Sequence, residues 1–463
     1  MSLIKSISGI RGEIGGKVGE NLTPLDVVRF TAAYGMWLKS VSANLKVVIG
    51  RDARPSGEMI NQLVVATLVG MGFEVIDLGL STTPTVEIAV PLEAAAGGII
   101  LTASHNPIQW NALKLLNDKG EFISAANGQS ILDIAEAEAF DFAEVKKLGS
   151  YSTNDTYIQK HIDAILALPL VDRAAIEKAD FSIAVDAVNS SGGFVIPQLL
   201  RALGVNKITE INCEPTGQFA HNPEPLPQHI IELIKEMKNG NHDLGIVVDP
   251  DVDRLAFVCE NGDTFGEEYT LVAVADYVLK HTPGNTVSNL SSTMALKVVT
   301  EKHGQKYTAA AVGEVNVVEA MKATNAIIGG EGNGGIIYPE LHYGRDALVG
   351  VALFLSHLAH ENKAVGVVRN TYPDYFIAKN KIELTTEINV DDILEKMAAK
   401  YAKYEVDTRD GVKIVFDNEW VHLRKSNTEP IIRIYSEAEH ETTAKKLGDK
   451  IISDIKEIIA QRA

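Results

Sequence analysis

One grammar recurs three times along this chain and limits what it can fold into. Residues 46–79 set an apolar run, Val47-Val48-Ile49, before Gly50-Arg51-Asp52. An amphipathic stretch follows, closing on Met71-Gly72-Phe73 and re-entering Glu74-Val75-Ile76-Asp77. Residues 182–211 repeat this with Ile183-Ala184-Val185-Asp186, the turn Ser190-Ser191-Gly192-Gly193, a helical stretch, and Leu203-Gly204-Val205 into Ile208-Thr209-Glu210-Ile211. A third copy starts at Asn285-Thr286-Val287, turns at Ser291-Ser292-Thr293, and runs helically to His303-Gly304. It returns to a strand near Tyr307. Strand, small polar turn, Gly-terminated helix and next strand is the βαβ pattern. Such units assemble into sheets covered by helices. The copies begin roughly 100–135 residues apart, beyond the ~20–50-residue period of a solenoid, so the spacing predicts three related α/β domains.

The last stretch is ordered differently. Lys381-Ile382-Glu383-Leu384, a helix near 391–403, two strands around 411–424, Ile431–Tyr435 and a helix from 441 to 461 predict a smaller α+β domain. Joints near 150, 255 and 370 divide the chain into 1–150, 151–255, 256–370 and 371–463. With domains of roughly 100–200 residues, the 463 residues have room for these four, and a 46% hydrophobic content can fill their cores. With 61 acidic against 43 basic residues the formal net charge is −18, which disfavours wrapping a nucleic acid. No apolar run approaches the ~18 residues of a membrane span, and Met-Ser-Leu-Ile-Lys-Ser-Ile-Ser-Gly has no signal-peptide core. Cys213 and Cys259 fall in no CxxC spacing. The expectation is a cytoplasmic protein acting on a small molecule, with no nucleic-acid or membrane partner.

Four strings carry chemistry. Leu101-Thr102-Ala103-Ser104-His105-Asn106-Pro107 follows the apolar Gly97-Gly98-Ile99-Ile100 and sets a hydroxyl at a strand tip. Adjacent residues in extended chain point to opposite sides, so His105 is no triad base for Ser104, and the string is not the Gly-x-Ser-x-Gly elbow. A plain Asn-Pro turn is the bland reading. Lys114 lies ten residues on as a candidate acid/base, or as a solvated lysine.

In Asp249-Pro250-Asp251-Val252-Asp253-Arg254, three carboxylates repel unless a cation or arginine neutralises them. Flat, Asp249 and Asp253 would stand roughly 13 Å apart. Mg²⁺ wants oxygens at about 2.0–2.1 Å, so the segment must curl to hold one ion. An EF-hand reading meets Arg254 where that loop needs Gly. A haloacid-dehalogenase-type phosphatase leaves the other strings unexplained, and a solvated acidic turn is the bland alternative.

Gly329-Gly330-Glu331-Gly332-Asn333-Gly334-Gly335 lacks the Lys-Ser/Thr of a P-loop. A carboxylate and an amide among glycines suit sugar hydroxyls, because a ligand can approach bare backbone closely; a mobile hairpin is the alternative. Arg424-Lys425-Ser426-Asn427-Thr428-Glu429-Pro430, followed by Arg433, offers a guanidinium fork and turn donors for phosphate. The competing reading is a surface pair of Arg424 with Glu429. Arg11, Arg51 and Arg54 add positive charge.

Taken together, a serine, a divalent-cation loop, a polyol loop and a phosphate loop, one per domain, compose a phosphoryl-transfer site. Thr102-Ala103-Ser104-His105-Asn106-Pro107, the Asp249–Arg254 string, Gly330-Glu331-Gly332-Asn333-Gly334-Gly335 and Arg424–Pro430 resemble the four signature loops of the α-D-phosphohexomutases, in the family's order. The resemblance covers essentially the whole chain and implies four domains around a central cleft. It implies phosphorylation of Ser104, transfer of that group to a hexose phosphate, and return of the other phosphate from a hexose 1,6-bisphosphate intermediate or activator. Mg²⁺ would be held by Asp249, Asp251, Asp253 and a phosphoserine oxygen at Ser104. Lys114 matches the acid/base position, with Arg11 and His105 beside the phosphoserine. Glu331 and Asn333 would read sugar hydroxyls, Arg254 would orient the loop or touch sugar, and Arg424, Ser426, Asn427, Thr428 and Arg433 would grip the distal phosphate.

Two departures stand out. Asn333 and Gly335 replace the Ser and His common in the family's sugar loop, and Ala112 replaces a usual Gly. Together with Val312-Gly313-Glu314-Val315-Asn316-Val317, the loop looks most like phosphoglucosamine mutase branches. Phosphoglucomutase/phosphomannomutase is the runner-up and a Mg²⁺-dependent sugar phosphatase the distant one. A sugar-phosphate sensor needs no combination of Ser104, Lys114 and three Asp. The resemblance is compatible with a monomer or homodimer.

Overall fold

The computed structural model describes residues 2–6, 9–384, 388–425 and 431–460. They form two compact units, residues 1–281 with 333–369 and residues 282–332 with 370–463.

In the first unit, the first repeat builds a seven-stranded sheet. Its order is Ile4–Ser6, Gly9–Glu13, Trp110–Leu116, Gly97–Leu101, Lys46–Arg51, Glu74–Leu80 and Ser150–Thr153. The last four run parallel, while Gly97–Leu101 meets Trp110–Leu116 antiparallel. Gly97–Leu101 is buried throughout, as expected of a strand covered on both faces. The residues at its start must be glycine for a packing reason. A Cβ at Gly97 would lie 2.2 Å from the Tyr34 hydroxyl oxygen. That hydroxyl donates to the carbonyls of Leu116 at 2.6 Å and Gly98 at 3.1 Å, tying the helix Pro24–Val41 to the sheet.

The second repeat gives Ser182–Asp186 parallel to both Lys207–Ile211 and Leu244–Val248. Leu255–Cys259 returns antiparallel beside Leu244–Val248, so the expected joint near 255 falls between two paired strands. The helix Ala347–Glu361 is buried along 347–358, which fits the apolar run Ala347–Leu355 that opens it. Asp346 caps it, accepting from the backbone N–H groups of Leu348 and Val349.

In the second unit, the third repeat places Asn285–Asn289 parallel to Tyr307–Ala310 and Ala326–Glu331. The C-terminal stretch forms an antiparallel sheet ordered Phe376–Glu383, Ile431–Ala438, Trp420–Lys425, Val412–Val415 and Glu405–Asp407. The helices Val390–Lys400 and Glu441–Ala460 supply its core with Ile393, Met397, Ile451 and Ile455. The short strand Glu405–Asp407 is absent from the sequence expectation: three polar-flanked residues leave no periodicity to read.

Candidate active site

Ser104 sits just beyond the strand Gly97–Leu101 with φ +49°. A non-glycine residue in the left-handed region costs about 1–3 kcal/mol, so neighbours must hold it there. Thr102 Oγ1 accepts from the Ser104 N–H at 2.9 Å and donates to Asp52 Oδ2 at 2.6 Å. Asp52 in turn pairs with Arg54 Nε at 3.0 Å, both fully buried. The Arg54 guanidinium donates to the carbonyls of Asn106, Pro107 and Trp110 at 2.7, 2.7 and 2.9 Å, and also to that of Ser104. Arg54 is therefore not a spare cation, as its place in the sequence suggested. Its donors are spent on the serine loop's backbone.

The acidic string curls as the spacing required. Asp249 Oδ1 accepts from the N–H groups of Asp253 and Arg254 at 3.2 and 3.1 Å. Val252 takes φ +63°, a conformation that a β-branched residue resists. The result gathers ligand atoms of Asp249, Asp251 and Asp253, all buried, within 4.8 Å of one another. Ser104 Oγ donates to Asp249 Oδ2 at 2.6 Å. Lys114 Nζ reaches Asp251 Oδ2 at 2.7 Å and Asp253 Oδ2 at 3.3 Å. Thr83 Oγ1 adds a donor to Asp251 Oδ2.

These contacts leave the Oδ1 atoms of Asp251 and Asp253 buried without a hydrogen-bond partner. Hard carboxylate oxygens left over in this way suit Mg²⁺. Burial, with Asp251 and Asp253 adding to it, raises the Asp249 carboxyl well above the ordinary range. Burial alone would raise Asp253 too, but Arg345, Lys114 and Arg254 outweigh it and hold that carboxyl low. Burial pulls the Lys114 ammonium down, and the two carboxylates more than offset it, so Lys114 stays protonated.

A cationic rim stands beside the acids. The field of Arg254, with burial second, pushes His105 well below its usual value and leaves it neutral. Its Nδ1 is buried with no hydrogen-bond partner. Arg11 lies on the strand Gly9–Glu13, opposite Ala112, and burial and then Arg254 lower its pKa. Arg254 itself reaches Glu224 at 3.7 Å and Asp253 at 3.9 Å. Arginines crowded this closely favour an anion among them.

Sequence reading missed Arg345, whose Nη2 donates to Asp253 Oδ2 at 2.6 Å. The available signal was Gly344-Arg345-Asp346 ahead of an apolar run, a helix start whose cap is Asp346. Asp346 is further held by His161 Nε2 at 2.9 Å and His342 Nε2 at 3.2 Å. His161 Nδ1 meets Thr85 Oγ1 at 2.9 Å, and His342 Nδ1 lies 3.5 Å from Glu87 Oε2. Three of the four ring nitrogens are thus hydrogen-bonded within the protein and the fourth faces Glu87, and the cluster reads as a brace on Asp346.

Asn333 belongs to the first unit, where its Oδ1 accepts from the Gly335 N–H at 3.2 Å. In the second unit, Glu331 is buried at a strand end and accepts from Asn289 Nδ2 at 2.8 Å and the Gly313 N–H at 3.0 Å. Arg424 and Arg433 face each other across neighbouring strands. Directly opposed like charges destabilise a sheet. Asp410, 2.9 Å from Arg424 Nε, offsets one of them. Ser426, Asn427 and Thr428 lie outside the described residues.

Family models for phosphoglucomutase/phosphomannomutase domains match in order: α/β/α domain I at residues 3–142, II at 159–262, III at 266–375 and the C-terminal domain at 381–453. The chain belongs to the α-D-phosphohexomutase family. It is 34% identical over 447 residues to the phosphoglucomutase/phosphomannomutase of Thermococcus kodakarensis, covering 95% of this chain and 97% of that one. It is 32% identical over 466 residues to the phosphoglucosamine/phosphogalactosamine mutase of Sulfurisphaera tokodaii, covering 99% of each. A phosphoglucomutase/phosphomannomutase family protein from Burkholderia thailandensis superposes with a TM-score of 0.83 at 24% identity, covering 98% of each chain. That likeness establishes the fold. Among the described residues no helix is long and apolar enough to cross a membrane.

Proposed function

We propose that this phosphohexomutase moves a phosphoryl group between C6 and C1 of glucosamine phosphate, with Ser104 as its carrier. The observation that carries the reading is Ser104 Oγ resting on Asp249 Oδ2, inside a buried three-carboxylate loop braced by Lys114. Asp249, Asp251 and Asp253 would hold Mg²⁺, which when bound neutralises phosphoryl oxygens. Phosphorylated Ser104 gives its group to a sugar hydroxyl, whose proton must leave. In the return direction the Ser104 oxygen takes a phosphoryl group from the other end of a hexose 1,6-bisphosphate.

Lys114 serves as the proton donor and, once deprotonated, the acceptor. Arg11 and neutral His105 border the phosphoserine, and Arg254 orients the acidic loop. Glu331 and Asn333 read sugar hydroxyls. Arg424 and Arg433, with Ser426, Asn427 and Thr428, grip the distal phosphate; the opposed arginine pair supports that role. The four domains keep the expected joints near 150 and 370, and the joint expected at 255 moves past Cys259, so that the paired strands Leu244–Val248 and Leu255–Cys259 stay together. The protein works in the cytoplasm as a monomer or homodimer.

The preference for glucosamine rests on the Asn333 and Gly335 loop and the mutase of Sulfurisphaera tokodaii. The Thermococcus kodakarensis relative favours glucose and mannose phosphates as the second reading. Measured kcat/KM for the 1-phosphates of glucosamine, glucose, mannose and N-acetylglucosamine separates them. Glucosamine should lead; a lead for glucose or mannose replaces the sugar assignment. Release of inorganic phosphate without isomerisation replaces the reaction.

A further inference from the structure

Gly335 and Arg345 compete for one volume. A Cβ built on Gly335 would stand 2.3 Å from Arg345 Cδ and 3.1 Å from its Cγ. Gly335 carries no positive φ that would demand glycine on backbone grounds. What forbids a side chain there is the buried stem of Arg345. That stem has little freedom to withdraw. Arg345 bridges Ile337 in antiparallel fashion, and the Asp346 N–H donates to the Ile336 carbonyl at 2.8 Å. The side chain of Asp346 is fixed by the cap of the helix Ala347–Glu361 and by two histidines. From this anchored start Arg345 reaches Asp253 Oδ2, and the other carboxylate oxygen, Oδ1, is the one left without a hydrogen bond.

We propose that Arg345 is a positioning residue that turns Asp253 toward a divalent cation, and that residues 335 and 345 form an either-or determinant in which glycine at 335 is the condition for arginine at 345. The role given to the cation rests on the mutase reading, but the binding measurement below does not depend on turnover. A carboxylate ligand held by an outer partner loses about 10–100-fold in metal affinity when that partner goes. Simple charge repulsion predicts the opposite sign, since removing a guanidinium would draw a cation closer. The two mechanisms are therefore distinguishable.

The test uses the full chain without sugar and Mn²⁺ as the probe, followed by electron paramagnetic resonance. Arg345→Gln should weaken Mn²⁺ binding about 10–100-fold, and Arg345→Lys should recover part of the loss. Unchanged or tighter binding by Arg345→Gln overturns the positioning role. In a second arm, Gly335→Ala should lower both thermal stability and Mn²⁺ affinity in the parent chain and cost little in an Arg345→Ala background. Additive losses overturn the shared volume. A parent chain without mutase turnover that still shows both results removes the functional reading and leaves this inference standing.

Discussion

Replacing Lys114 by methionine removes the ammonium and keeps an unbranched side chain one heavy atom shorter. In the parent, Nζ lies 2.7 Å from Asp251 Oδ2 and 3.3 Å from Asp253 Oδ2, with side chains 10%, 1% and 0% exposed. Breaking so buried a pair leaves carboxylates uncompensated and costs about 3–5 kcal/mol. Asp253 retains Arg345 and Asp251 retains Thr83, so the lower end of that range applies. For a domain of 150–250 residues about 3 kcal/mol corresponds to roughly 6–12 °C, and in the larger first unit the shift is smaller. The readout is the first thermal transition of the chelated protein, because a chain of several domains need not unfold in one step. Mg²⁺ should then raise the transition of Lys114→Met by more than that of the parent, since the cation replaces the missing charge. Turnover should fall about 10²–10⁴-fold for loss of an acid/base group. A chelated variant that melts with the parent, or responds to Mg²⁺ less than the parent, refutes the reasoning.

Three further outcomes are expected. His357 is pressed down to about 4, by burial first and Lys280 second. Its folded value lies below its unfolded value, so the native state binds fewer protons. Its contribution is complete above pH 6.5 and is lost as pH falls toward 4, by about 3 kcal/mol at full titration. His357→Gln should flatten the acid limb of a stability–pH curve, and an unchanged limb discards the assignment. Tyr34→Phe should lower stability by about 1–3 kcal/mol, because two buried carbonyls lose their donor; denaturation near parent values argues against that tie. Arg424→Ala should raise KM for sugar phosphate tenfold or more, taking charged hydrogen bonds at about 1.5–3 kcal/mol, with kcat moved less. An unchanged KM removes Arg424 from the phosphate grip.

Much of the fold was legible because three strand–turn–helix copies carry their own punctuation in Gly72, Gly204 and Gly304. Within the site, the curl of Asp249–Arg254 was legible only through the cation reading: three carboxylates in five residues repel one another, and they converge only if the chain turns them onto one ion. Long-range pairing was not legible. Arg54 looks like any exposed arginine in sequence, yet it is buried and holds four loop carbonyls some fifty residues away. Arg345 reaches across 92 positions to Asp253, and no local period announces such a contact. The net charge of −18 was no guide to ligand charge either. Local arginines around the acidic loop decide that.

The central claim is that Ser104 carries the phosphoryl group. The most direct measurement incubates the protein with hexose 1,6-bisphosphate labelled in phosphorus, maps the label by peptide mass spectrometry, and chases it with glucosamine 6-phosphate. The account predicts label on Ser104 that passes to sugar at the rate of turnover, and none in Ser104→Ala. Turnover by Ser104→Ala at the parent rate, or label on another residue that chases competently, contradicts it.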